Sequence, residues 1–121
     1  MHERFDGALR RLLFAAAIGA APLAASSGAS AASFDCKLAA LPAEKAICGN
    51  ANLSRLDDST AGMYLLIVGS GAPAATMSRV KQAQTKFLQT RNACGTDIDC
   101  LVDAYTSQMM FLRNEKSNLG L

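Results

Sequence analysis

Residues 91–108 read RNACGTDIDCLVDAYTSQ. Cys94 and Cys100 stand six positions apart, with Gly95, Thr96 and Asp97 between them. Helical periodicity runs up to Cys94 and resumes after Asp97, so the segment is a corner between two helices. Gly95 suits the left-handed position just past a helix end. Asp97 can cap the start of the next helix, and Cys100 falls in that helix's first turn. The two sulfurs are then on opposite sides of one tight corner, which predicts a disulfide staple. A zinc site needs histidines or tight Cys-x-x-Cys pairs. A thioredoxin-type redox site needs Cys-x-x-Cys to lower the nucleophile's pKa. The spacing here is C-x5-C, and the only histidine, His2, lies near the amino terminus.

The other two cysteines, Cys36 and Cys48, are spaced C-x11-C. Four cysteines in a small exported domain read as a disulfide framework with three possible pairings. The local pairing, Cys36–Cys48 with Cys94–Cys100, is the expected one. Chain entropy assigns about 2.9 kcal/mol to the first loop and about 2.4 to the second. Longer loops would gain more by that treatment, so entropy does not choose the pairing; the corner geometry does.

Export is itself read from the chain start. MHERFDGALRR carries Arg4, Arg10 and Arg11, and LLFAAAIGAAPLAA (12–25) is almost wholly apolar. Small residues follow in SSGASAAS (26–33). These are the three regions of a secretory signal. The expected cut is after Ala31 (Ala29-Ser30-Ala31) or after Ala32 (Ser30-Ala31-Ala32), giving a signal over 1–31 and a single domain over 32–121. The apolar run is shorter than the roughly 20 residues a spanning helix needs. Cys36 follows Ser33-Phe34-Asp35, so no lipobox is present. The implied location is the bacterial periplasm or the medium.

The whole chain has 12 Lys and Arg against 10 Asp and Glu. Setting aside Arg4, Arg10, Arg11, Glu3 and Asp6 leaves nine against eight in the domain. Such a balance predicts no nucleic-acid groove and no strong steering toward a charged partner. A domain of this size hides only about 60 to 65% of its unfolded surface, so covalent bridging is expected to assist it.

The domain reads as all-α. LPAEKAIC (41–48) predicts a short helix with Pro42 in its first turn, ended by Gly49-Asn50. In ANLSRLDDSTAGMYLLIV (51–68), Leu53, Leu56, Thr60, Met63, Tyr64 and Ile67 form one stripe. YLLIV within it is rich in β-formers, but the helical spacing continues through it. GSGAP (69–73) is a turn. AATMSRVKQAQTKFLQTRNAC (74–94) aligns Met77, Val80, Gln84, Phe87, Arg91 and Cys94. DCLVDAYTSQMMFLRNEKS (99–117) aligns Leu101, Tyr105, Gln108 and Leu112. The tail NLGL reads as frayed. A small disulfide-stapled helical bundle follows, one short helix and three longer ones.

Two polar residues interrupt apolar faces. Asp57 lies between Leu53 and Thr60, and Arg91 follows Phe87 by one turn. An antiparallel hairpin turning at 69–73 brings both toward the same end in approximate register. They are either a partly buried ion pair that fixes register or two solvated boundary residues. Tyr64 and Tyr105 read as core residues with wet hydroxyls.

Enzymatic readings are weak. With no histidine in the domain there is no Ser-His-Asp or Cys-His system. Asp57 and Asp58 are neighbours that point about 100° apart on a helix, so they do not face one substrate as a glycosidase pair does. No phosphate-binding loop is present, and no cofactor or metal is implied.

FDCKLAALPAEKAICGNANLSRLDDSTAGMY and KQAQTKFLQTRNACGTDIDCLVDAYTSQMMFLR together resemble the LprI-type lysozyme-inhibitor domain. The resemblance is carried by Phe34, Asp35, Cys36, Glu44, Lys45, Ile47, Cys48, Leu53, Ser54, Leu56, Asp57, Tyr64, Gln84, Phe87, Leu88, Arg91, Cys94, Cys100, Leu101 and Tyr105. It implies a small exported helical domain in which Asp57, Gln84 and Arg91 belong to a shared framework. Phe87 stands where the family commonly has tryptophan. The function it implies is that of an exported protein-binding module, an inhibitor of lysozyme or another cell-wall hydrolase such as a lytic transglycosylase. The alternative is a structural or envelope-stress protein with another periplasmic partner. Asp97, Asp99 and Asp103 are the candidate contacts for a basic enzyme, with helix capping and solvation as their other reading.

Overall fold

The computed structural model describes residues 32–121, so the signal read over 1–31 lies outside the described residues. A 3₁₀ turn at Cys36–Leu38 leads into four helices: α1 Pro42–Cys48, α2 Ala51–Val68, α3 Ala74–Ala93 and α4 Ile98–Asn118. Among the described residues there is no strand, and YLLIV completes α2. α4 packs on both α2 and α3, and α1 packs on the same two helices.

Local chemistry sets each boundary. Glu44 Oε1 accepts hydrogen bonds from the backbone N–H groups of Leu41 and Ala40 at 3.0 and 3.2 Å, which fixes the entry to α1. These bonds hold the Glu44 carboxyl below its ordinary range, with Leu41 as the larger influence. Asn50 begins α2 as well as following α1: its Oδ1 accepts from Leu53 N at 3.0 Å. Asp97 caps α4 as the sequence implied, accepting from Cys100 N at 3.1 Å. Gly95 takes φ +59°, the left-handed step that lets the chain leave α3.

The tail is not frayed. Gly120 has φ +73°, its N–H donates to Ser117 O at 3.1 Å, and Leu121 N–H donates to Lys116 O at 3.1 Å. That bond pair is a Schellman close to α4, and it seats Leu119 against the apolar residues near the helix end.

Both local disulfides form. Cys36 and Cys48 join the 3₁₀ turn to the end of α1 with Cα atoms 5.8 Å apart. Cys94 and Cys100 close the α3–α4 corner with Cα atoms 5.6 Å apart. Among the described residues no cysteine is free, and no helix is long and apolar enough to cross a membrane.

The apolar residues form two clusters. Ala32, Ala43, Ile47, Leu53, Phe87, Leu101, Ala104 and Tyr105 fill the end with the disulfides. Ile67, Val80 and Leu112 fill the end with the 69–73 turn, assisted by Met63, Tyr64 and Phe111. A polar layer separates them on each long helix: Thr60 on α2, Gln84 on α3 and Gln108 on α4. Thr60 Oγ1 donates to Leu56 O at 2.7 Å. Gln108 Nε2 donates to Gln84 Oε1 at 3.1 Å, joining α3 to α4. Each fully buried aliphatic side chain contributes about 1.5–3 kcal/mol by leaving water.

Candidate functional site: a buried carboxylate and an acidic groove

Asp57 is the polar centre of the disulfide end. It sits on the inward face of α2 with 5% of its side chain exposed. Its Oδ1 accepts from the Tyr105 hydroxyl at 2.6 Å and lies 3.7 Å from Arg91 Nη1. Its Oδ2 accepts from Ser33 N at 2.7 Å and from Ser33 Oγ at 2.5 Å. Of the two readings the helix stripes left open, the structure has the ion pair: Asp57 and Arg91 face each other and both are buried.

Arg91 makes further contacts around this carboxylate. Its Nε and Nη2 donate to Asn92 Oδ1 at 3.1 and 2.9 Å. Its guanidinium carbon is 5.8 Å from the centroid of the Phe34 ring, within cation–π range. Phe87 meets the Tyr105 ring edge-on, with centroids 5.1 Å apart. The wet hydroxyl expected for Tyr105 is corrected here: the residue is fully buried, and its O–H is directed at Asp57. Burial chiefly, and then the hydrogen bond to Asp57, push the phenol well above its ordinary value.

The arrangement ties four parts of the chain to one carboxylate: the amino-terminal arm, α2, α3 and α4. Among the described residues no buried side-chain nitrogen or oxygen lacks a partner. Both oxygens of Asp57 are already engaged by donors. Its chemistry in this state is to hold register.

The other candidate residues lie outside the core. An open groove of about 800 Å³ runs between α3 and α4 beside the Cys94–Cys100 corner. Ala83 and Phe87 of α3 and Ala104 and Phe111 of α4 give it an apolar lining. Asp97, Asp99 and Asp103 all line the same groove, and all three are exposed. Among the described residues Lys86 is the single basic residue in the lining. The helix period explains the grouping: Asp99 and Asp103 are four residues apart and share a face, and Asp97 caps the helix just before them.

Periodicity missed some residues and could have found others. Glu115 continues the α4 stripe of Tyr105, Gln108 and Leu112 by one more step. It is buried, and Arg79 grips it with two bonds, Nε to Oε1 at 2.6 Å and Nη2 to Oε2 at 2.8 Å. The Arg79 guanidinium holds the Glu115 carboxyl below its ordinary range. Ala32 and Ser33 belong to no helix, so no stripe marks them.

No protein-family model matches the chain, and neither a curated protein nor a solved structure matches it.

Proposed function

We propose that this chain is an exported protein-binding module that blocks a cell-wall hydrolase of the lysozyme or lytic transglycosylase class. The observation that carries the reading is the groove between α3 and α4. Three exposed carboxylates line it around an apolar interior, against one lysine. The domain as a whole is close to neutral, so its acidic character is concentrated where a basic enzyme would touch. Local complementarity of this kind speeds encounter and selects partners without a large net charge. The resemblance to the LprI-type domain supports the same reading. Two disulfides, and the lack among the described residues of a membrane-crossing helix, are consistent with a periplasmic or secreted location.

The test is a muramidase assay. The oxidised protein is incubated with a c-type lysozyme and, separately, with a lytic transglycosylase. Loss of activity at micromolar protein is the expected result. Asp99→Lys with Asp103→Lys should abolish the inhibition while circular dichroism stays unchanged and melting falls only slightly, because Asp97 keeps its cap on α4 and only the first-turn charge of Asp99 is lost. Full muramidase activity with tens of micromolar protein would sink the inhibitor reading and leave the structural or envelope-stress role. Release of soluble fragments from peptidoglycan by the protein alone would point to a hydrolase instead.

A further inference from the structure

We infer that the exported chain begins at Ala32, because Ala32, Ser33 and Phe34 form a clasp that is complete in the product of only one of two adjacent candidate cuts. The inference rests on the leader read from the sequence.

Three consecutive residues of the arm make three different contacts. Ala32 is 9% exposed and packs in the first apolar cluster, whose members include Ile47, Leu53 and Tyr105. Ser33 gives both its backbone N–H and its hydroxyl to Asp57 Oδ2. Phe34 is half-buried, with the Arg91 guanidinium over its ring.

Small residues allow hydrolysis at either Ala31–Ala32 or Ala32–Ser33. In both cases a signal-peptidase-class hydrolase adds water across the peptide bond. The carbonyl carbon becomes a carboxylate and leaves with the leader. The nitrogen takes up protons and becomes the new terminal ammonium.

The two products differ in the clasp. A cut after Ala31 keeps the Ala32 methyl in the core and keeps Ser33 N as an amide donor. The ammonium then lies one residue outside the Asp57 contact. A cut after Ala32 removes the methyl and leaves its neighbours without contacts on that side. It also turns Ser33 N into an ammonium 2.7 Å from a carboxylate that already faces Arg91. Asp57 would then carry two cations against one anion. Only the first product retains every contact the fold makes.

The full chain, leader included, is exported from a bacterial host, and the oxidised product is measured by intact mass and amino-terminal sequencing. A start at Ala32 is expected. A start at Ser33 overturns this inference while leaving export intact, and an unprocessed chain starting at Met1 overturns both. Two variants separate the bonds. Ser30→Leu removes the small residue that the Ala32–Ser33 cut requires and should leave the product unchanged. Ala31→Leu removes the one that the Ala31–Ala32 cut requires and should shift the start to Ser33. That shorter product should melt about 4 °C or more below the wild type. Equal or higher melting of the Ser33 product would overturn the clasp.

Discussion

Asp57 is a charge removed from water, and its stability effect depends on which neighbour is lost. Truncating one partner of a buried ion pair leaves the other uncompensated, which costs about 3–5 kcal/mol. Asp57→Ala should therefore lower the unfolding free energy by that amount, read as a lower urea midpoint at an unchanged m-value. A cycle of Asp57→Asn and Arg91→Gln should return a coupling of about 0.5–3 kcal/mol; a value near zero would dispose of the pair. Tyr105 adds an alkaline limit. Its folded-state pKa is raised, so the folded protein holds this proton more tightly than the unfolded chain does. The stabilisation is complete below the ordinary tyrosine value of about 10 and is lost as pH rises above it. Tyr105→Phe should remove that alkaline slope in a pH series of melting curves. The helix stripes made Asp57 and Arg91 legible because each is a polar break in an apolar row. They placed Tyr105 on the inward face but not its hydroxyl's partner, since a stripe gives a direction and not a contact. Ser33 was illegible for a further reason: an arm held by two hydrogen bonds carries no period.

Helix interiors and helix ends impose opposite demands on glycine, and this chain contains both. Gly95 sits at φ +59° between α3 and α4, where an L side chain costs about 1–2 kcal/mol. Gly62 lies inside α2, and a Cβ built there meets nothing within 4 Å. Helix propensity favours alanine there by about 0.8–1.0 kcal/mol. Gly95→Ala should accordingly lower the denaturation midpoint and Gly62→Ala should raise it, in the same buffer and with the same m-value. Matching signs for the two would refute this account of the corner. Helix boundaries were legible to within a residue wherever a capping residue or glycine stood, as at Asp97 and Gly95. At Asn50 the boundary was equally legible but the role was not: the residue follows one helix and its side chain caps the next. The tail was misjudged because NLGL has no apolar period. Its order comes from the Schellman bonds around Gly120 and from Leu119, which packs two turns beyond Leu112.

At the scale of the whole molecule, two short covalent loops close the same end of the bundle that holds the polar cluster. By chain entropy they contribute about 5 kcal/mol together. Domain stabilities start at about 5 kcal/mol, so reduction should leave little or none at 37 °C. The two loops should not be equivalent. Cys94–Cys100 closes a corner that Gly95 and Asp97 already define by backbone geometry. Cys36–Cys48 instead ties down the arm that carries Ala32, Ser33 and Phe34, and with it two of the donors to Asp57. Replacing Cys36 and Cys48 with serine should thus remove its own loop term, about 2.9 kcal/mol, plus part of the Asp57 network. Replacing Cys94 and Cys100 should remove about 2.4 kcal/mol and little else. Urea titrations of the two double variants decide the matter. The first should unfold at clearly lower urea, and adding Asp57→Ala to it should cost less than in the wild type. The second should keep the full Asp57→Ala penalty. If the penalty is the same in both backgrounds, the arm and the carboxylate are not coupled, and the amino-terminal clasp is only a surface contact.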